Sequence, residues 1–443
     1  MAVIPINRSE VTVQVVMDTT RGASKTANQQ KLLTLVMSLF FAFGFCTVLV
    51  DTLIPKLKAM FALNFAEVML TQFCFFGAYF VISVPAGWLI TRIGYLRGIT
   101  TGLVVMAIGA LLFTPAARLG AYPGFLAALF ILASGVTIVQ VAANPLTASI
   151  GDPAQAPSRL TLAQAFNSLA TMVGPIFGSA FILAHVAVLP DAAHTAPDVL
   201  AALRQHEASV FRLPFLAIAG TLLALAALCW AVRDWAPAVP PGARGAYRRI
   251  LVNRRLVCGA IGIFAYVGAE VSIGSSIANY LMQPEILGVA AQTAGQLVSV
   301  YWGLAMVGRF VGTAILRVVR PGLVLAACAI GAAALAICTG SSTGLLAACS
   351  VLAIGLFNAI MFPTIFTLAI ATLGEDAAEA SGVLCLAIVG GAVVPLVTGF
   401  AADHVGLGRA LLVPVLCYAW IAFFGFSTAR GQPPLPSTDA QHT

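Results

Sequence analysis

Charge is what this sequence has least of. Asp, Glu, Lys and Arg make up 9% of its 443 residues, against about 25% in an ordinary soluble chain. Hydrophobic residues make up 60%, and the mean hydropathy is +0.98. So much apolar surface cannot be hidden from water, so the solvent of this chain is lipid. A soluble metabolic enzyme, a nucleic-acid-binding domain and a secreted disulfide scaffold are excluded together. Histidine is scarce as well, with five residues. No span buries a histidine, no Gly-rich loop cradles phosphate and no helix carries paired carboxylates, so neither hydrolytic nor redox chemistry is expected. The nine cysteines lie inside apolar stretches without metal or disulfide spacing. They read as packing residues, and neither a metal nor a cofactor is expected.

What the chain does have is long apolar runs. They fall at 32–55, 67–91, 98–117, 122–150, 160–185, 210–232, 256–282, 293–316, 322–340, 344–372, 380–402 and 407–428. At about 20 residues per crossing, these are twelve membrane spans. The basic residues orient them. With both ends inside, sixteen of the twenty-three Lys and Arg fall in cytosolic segments, six outside, and Arg309 alone within a span. This positive-inside asymmetry accounts for the net charge of +7 without any acidic partner.

The same pattern divides the chain. Residues 1–31 read as a cytosolic tail rather than a signal peptide, 32–232 as a six-helix bundle, and 233–255 as a cytosolic basic linker. A second six-helix bundle follows at 256–428, then a cytosolic tail at 429–443. Residues 186–209 read as a polar outer loop, where His185, His194 and His206 are too irregularly spaced for a metal site. The halves are weakly alike: Gly151-Asp152 follows span four and Gly374-Glu375-Asp376 follows span ten. Pro145 and Pro175 in one half answer Pro363 and Pro395 in the other, and each is expected to kink its span. The fold class is therefore an all-α membrane protein of twelve transmembrane helices in two pseudo-symmetric bundles. In such parallel repeats the binding site lies between the halves near mid-membrane.

Polar residues inside the spans carry the functional reading. Of sixteen acids, fourteen are assigned to loops, tails or span ends; Asp51 and Glu270 fall inside spans one and seven. A carboxylate at bilayer depth costs about 2.5–3.5 kcal/mol on insertion scales, and burial favours its neutral form, which suits both to coupling with a cation. Asp51, close to Pro55, Lys56 and Lys58, could instead be a wet helix end, and Glu270 could instead pair with Arg309. Gln140 and Asn144 share one helical face, and Gln164 and Asn167 share another. Asn279, Trp302 and Asn358 add amides and a ring from the second half. Amides give donors and acceptors without net charge, and an indole stacks on the apolar face of a sugar. That set suits a neutral polyhydroxylated ligand, although interhelical hydrogen bonding also uses Asn and Gln. Arg92 and Arg97, in GWLITRIGYLRG, sit in the short cytosolic turn between spans two and three.

That turn resembles the loop signature of the major facilitator superfamily, with Thr91 in place of its usual acid. FFGAYFVISVPAG, VQVAANPL, SRLTLAQAFNSLATMVGPIFG, YVGAEVSIGS, FNAIMFPTIFTLAI and LCLAIVGGAVVPLVTGFAAD are similar to the fucose–proton symporter family, most closely to its glucose/galactose transporter branch. The resemblance covers about residues 32–428. It implies alternating access and cation-coupled uptake of a hexose. It assigns Asp51 to proton handling and sugar contact, and Gln164 and Asn167 to the central cavity. Fucose-symporting members have glutamate where this chain has Gln140; glutamine there agrees with the glucose/galactose branch, as does Glu270.

The expectation is thus an inner-membrane symporter of a neutral monosaccharide, driven by protons or sodium and acting as a monomer with both termini cytoplasmic. Asp51 and Glu270 handle the cation. Gln140, Asn144, Gln164, Asn167, Asn279, Trp302 and Asn358 bind the sugar, and Arg92, Arg97 and Arg309 serve structure or gating. An efflux antiporter for sugar or drug, or a membrane sugar sensor without transport, stands as the alternative.

Overall fold

A computed structural model describes residues 29–48, 65–119, 122–178, 197–239 and 245–430. Every regular element among them is helical. The helices are α1 (Gln29–Val48), α2 (Phe65–Ile93), α3 (Tyr95–Leu119), α4 (Tyr122–Ser149), α5 (Ala156–Gly178), α6 (Pro197–Ala231), α7 (Ala246–Val252) and α8 (Arg254–Leu281). They continue with α9 (Ala291–Val318), α10 (Pro321–Ser341), α11 (Gly344–Asn358), α12 (Met361–Ile370), α13 (Ala377–Leu386), α14 (Gly390–Val405), α15 (Leu407–Ala410) and α16 (Leu412–Ala429). Among the described residues, eleven helical stretches are long and apolar enough to cross a membrane. The 23-residue α5 is long enough too, with Arg159, Gln164, Asn167 and Ser168 making it the more polar. Span ten is the pair α11–α12, and span eleven is α13–α14 joined by a 3-10 turn at Ala387–Val389. The chain is a multi-pass membrane protein, and a belt of exposed side chains such as Leu213, Leu345, Phe400 and Leu416 faces outward.

Local chemistry sets the ends. Gly94 turns between α2 and α3 with φ +86°, a conformation that costs glycine nothing, and its N–H reaches the Ile90 carbonyl at 2.8 Å. Asn253 caps α8 by accepting from the N–H groups of Arg255 and Leu256. The expected linker is therefore not all loop: α7 forms within it, and α8 starts at Arg254. The expected outer loop at 186–209 is corrected as well, because α6 already begins at Pro197. Proline suits a first helical position, and the LAALRQHEA that follows contains good helix formers. Of the four prolines expected to bend spans, Pro145, Pro175 and Pro395 lie within continuous helices, whereas span ten breaks at Ala359–Ile360, just before Pro363.

Small residues let the helices close up, as membrane interfaces require. A Cβ on Gly135 of α4 would fall 2.5 Å from the backbone nitrogen of Met106 in α3. α3 packs on α4 and α6, and α2 on α4; later in the chain α8 packs on α12, α14 and α16, α9 on α11, and α10 on α16. Two crossings join these groups: α5 lies on α9 and α12, and α13 lies on α2 and α4. The two crossings are equivalent if the spans are counted as two sets of six.

Both crossings are tight toward the end of the molecule that carries Arg92, Arg97, Arg159, Arg249, Arg317 and Arg320, here termed the basic end. There Ser158 Oγ donates to the Thr313 carbonyl at 2.7 Å and Ser381 Oγ to the Val141 carbonyl at 2.8 Å. Toward the opposite end Ser275 and Asn279 of α8, and Gln296, Ser299 and Trp302 of α9, are exposed. Among the described residues the two helix groups meet tightly at the basic end, and the opposite end, where these polar side chains are exposed, is here termed the open end.

Candidate functional site

Asp51 lies outside the described residues, as do His185 and His194. The remaining candidates fall into three environments.

On α4, Gln140 is half-buried and its Nε2 donates to the Tyr79 hydroxyl of α2 at 2.9 Å. This bond fixes the amide and leaves its carbonyl oxygen for another donor. Asn144, one turn further, is fully buried and lies against the Cys385 thiol of α13. The shared face inferred from their spacing is real, but in this state only Gln140 retains exposed surface. On α5, Asn167 is half-buried; its Nδ2 donates to the Phe40 carbonyl of α1 at 3.1 Å and lies against Gly44, where a Cβ would collide with it. Gln164 is nearly buried.

The second environment centres on Glu270. It is partly buried on α8, and Tyr266, one turn earlier, donates its hydroxyl to Oε1 at 2.7 Å. The alternative pairing with Arg309 does not form. Arg309 instead donates from Nε to the Ala359 carbonyl at 3.3 Å, and from Nη1 to the Gln164 carbonyl at 3.2 Å and to Ser168 Oγ. The physical reason is Pro363: lacking an N–H, it leaves the carbonyl four residues back, that of Ala359, without its helical donor. Arg309 fills that vacancy and ties α9 to α5 as well as to the break between α11 and α12. Its charge is still close enough to act on Glu270.

Asn358 is fully buried nearby, and both polar atoms of its amide are bonded. Its Nδ2 donates to the Tyr301 hydroxyl at 2.9 Å, and the Tyr418 hydroxyl donates to its Oδ1 at 2.9 Å. This amide joins α9, α11 and α16. The third environment is the open end. Trp302, 44% exposed, stands edge-on to Tyr301 with ring centroids 5.1 Å apart. A Cβ on Gly274 of α8 would come 3.2 Å from its indole. Glu270, Gly274 and Ala278 succeed one another on one face of α8, flanked by exposed Ser275 and Asn279. The face runs from the open end down to the carboxyl.

The basic end holds Arg92 and Arg97. Arg92 stacks over the Trp88 ring at 3.8 Å, and Arg97 approaches Asp234 at 4.0 Å. Arg249 of α7 grips Asp376 with Nε at 2.9 Å and with Nη2; that hydrogen bond raises the guanidinium above its ordinary range. Tyr247 donates to the Val84 carbonyl of α2 at 2.8 Å. Burial first, then the charge of Glu379, push its phenol up to about 12.

Sequence reasoning missed four residues. Tyr266 was detectable from its spacing of four before Glu270. Tyr79 and Ser168 come from other helices and carried no such signal. Glu379, assigned to a span end, is 3% exposed within α13; its setting among Ala, Ser and Gly in AAEASG was the available clue to close packing. Among the described residues no cluster could hold a metal ion. A cavity of about 580 Å³ lies among α1, α5 and α6, walled by Phe41, Phe45, Val173, Leu213 and Leu222, and contains none of the candidate side chains.

Comparison with known proteins gives a consistent result. Residues 35–394 match the model of the Major Facilitator Superfamily. The chain is 50% identical over 407 residues to a glucose/galactose transporter of Brucella abortus, covering 91% of this chain and 95% of that one. It is 32% identical over 424 residues to the L-fucose-proton symporter of Escherichia coli, with 91% and 95% covered. Crystal structures of the Escherichia coli fucose:proton symporter, one in the outward conformation, superpose with a TM-score of 0.83 at 31% identity, covering 90% of this chain and 99% of theirs.

Proposed function

The chain belongs to the Major Facilitator Superfamily, and on that premise we propose that it is a secondary active transporter for symport of a neutral monosaccharide, glucose or galactose, with a cation. The names of its relatives support the sugar, and that of the L-fucose-proton symporter supports a proton as the cation.

The observation that carries the reading is how Arg309 is used. It is the one cation assigned to a span interior, and the Ala359 and Gln164 carbonyls and the Ser168 hydroxyl occupy it. Its Nε and Nη1 donors are thus engaged in holding helices together rather than presented to an anionic substrate. What is left toward the open end is neutral: the Gln140 and Asn167 amides, Asn279, Ser275 and the Trp302 ring, with the Glu270 carboxyl at the bottom. Hydroxyl groups match these donors and acceptors, and an indole matches the apolar face of a pyranose. Gln164 adds an amide beside Asn167. Asn144 and Asn358 act from behind the wall in this state rather than on the ligand.

Asp51 and Glu270 handle the coupling cation. Residues 32–232 and 256–428 move as two units around the site, joined by the linker at 233–255, and Arg92, Arg97 and Arg309 hold the closed end. The basic end faces the cytoplasm of a bacterial inner membrane by the positive-inside rule; the tails at 1–31 and 429–443 lie on that side, and the monomer is the working unit. Counterflow of labelled glucose and galactose in proteoliposomes tests the assignment. Exchange of either sugar supports it; exchange of neither, in protein that folds, removes it.

A further inference from the structure

The seam at the basic end buries an acid that the sugar site does not use. Glu379 lies in the first turn of α13, 3% exposed, and its Oε2 has no hydrogen-bond donor. Opposite it, α2 comes so close that a Cβ on Gly87 would sit 3.4 Å from Glu379 Cα and 3.1 Å from the Ala378 carbonyl oxygen. One turn back along α2, Ser83 is fully buried and its Oγ also lacks a partner. Two bare polar atoms thus lie on the two helices that close this crossing.

The surroundings do not neutralise the carboxyl. Tyr95 of α3 and Tyr247 of α7 are near enough to feel its charge, and Tyr247 spends its proton on Val84. Arg249 of α7 is the cation acting on it, and Asp376 already holds that guanidinium while adding like charge of its own. α4 and α12, which also pack on α13, contain no Asp, Glu, Lys, Arg or His. Arg254 and Arg255 at the start of α8 form no ion pair with it among the described residues. The start of α13 favours negative charge, and the backbone N–H of Glu379 bonds to its own carboxyl. Those two contacts offset part of the cost and leave Oε2 bare. A buried carboxylate without a full set of partners is far costlier than the neutral acid.

We propose that Glu379 is a proton-binding site of the basic-end seam, protonated while the seam is closed and ionised once it opens to water. Acid on that side then holds the gate shut. If the transport reading is right, on which this role rests, a symporter that carries protons into the compartment facing the basic end slows itself as that compartment acidifies.

Hydrogen-exchange mass spectrometry of the full chain in lipid nanodiscs tests this without sugar or gradient. Residues 83–93 and 377–386 are followed, with each rate corrected for chemical exchange at the same pH. Wild-type protection should fall as the pH is raised above the ordinary carboxylate range, by one decade per unit of pKa difference between the two states. Glu379→Gln should keep the protection of low pH throughout, and Glu379→Ala, measured in the same way, should also lose the pH dependence. Wild-type pH dependence in either neutral variant, or none in the wild type, overturns the proposal. Either result leaves the sugar assignment untouched. A chain with the predicted exchange but no sugar flux would retain the proton site and lose the transport reading.

Discussion

Arg309 Nε donates to the carbonyl of Ala359 at 3.3 Å, the acceptor that Pro363 cannot serve. The other crossing repeats the arrangement. Pro145 leaves the Val141 carbonyl without its helical donor, and Ser381 Oγ, from the opposite helix group, donates to it at 2.8 Å. Spans four and ten each carry a proline whose missing N–H opens a socket, and a side chain of another helix fills each socket. A buried carbonyl left empty costs about 1–3 kcal/mol, so the two prolines make the seams specific.

This relationship predicts a coupled pair of substitutions. Arg309→Ala should destabilise the protein by about 1–3 kcal/mol, because it empties the Ala359 socket and breaks the bonds to α5. Pro363→Ala supplies the absent N–H, so the same change made in that background should cost less. Chemical unfolding in detergent, analysed as a double-mutant cycle, measures the difference. Strict additivity would show that the proline does not create the socket.

Tyr79 should act on sugar through Gln140. Tyr79→Phe frees the amide to rotate and should weaken sugar binding by about 2–10-fold, the worth of one hydrogen bond. Gln140→Ala should weaken it at least as much, and the double variant should be no worse than Gln140→Ala alone. Equilibrium binding of labelled sugar measures all three.

Gly274 should set the position of Trp302. Gly274→Ala crowds the indole, and Trp302→Ala removes it; both should weaken sugar binding, by about tenfold for the loss of the ring. Trp302→Phe, which lacks the outer indole atoms that the new Cβ would meet, should bind better than Trp302→Ala and should be little affected by Gly274→Ala. Quenching of the residual tryptophan fluorescence by sugar should fall in step with affinity.

The legibility of the sequence followed the range of the interactions. Each described span lies within a few residues of its apolar run, because lipid selects for hydropathy and length and both are local. The break in span ten was foreshadowed by Pro363, whereas α7 and the early start of α6 depend on caps and helix formers in polar sequence, where hydropathy gives no signal. The amides divide in the same way. Gln140 and Asn167 were recognisable as polar side chains in spans, but nothing local showed that Asn358 is occupied by Tyr301 and Tyr418, which lie 57 and 60 residues away. A Glu270–Arg309 pair stood as an alternative on charge alone. The true partners of Arg309 are two carbonyls and a hydroxyl, visible only once Pro363 and α5 are brought beside it. Glu379 escaped notice because an acid near a predicted span end reads as wet until the neighbouring helix covers it.

Glu270 should separate coupling from binding. Glu270→Gln keeps the shape and the Tyr266 contact while removing the charge. It should reduce gradient-driven accumulation by about tenfold or more and leave counterflow within a few-fold, since the neutral amide still offers hydrogen bonds. Equal losses in both assays would make Glu270 a binding or structural residue.

The central claim, that a cation gradient drives a neutral sugar through this chain, is tested most directly by accumulation in proteoliposomes. Labelled glucose or galactose is offered under imposed proton and sodium gradients in turn, with wild-type protein and with Asp51→Asn. The account predicts accumulation above equilibrium under one of the gradients, collapse when that gradient is dissipated, and a variant that exchanges sugar without concentrating it. Sugar that only equilibrates under both gradients, or an Asp51→Asn variant that concentrates it as well as the wild type, would contradict the account.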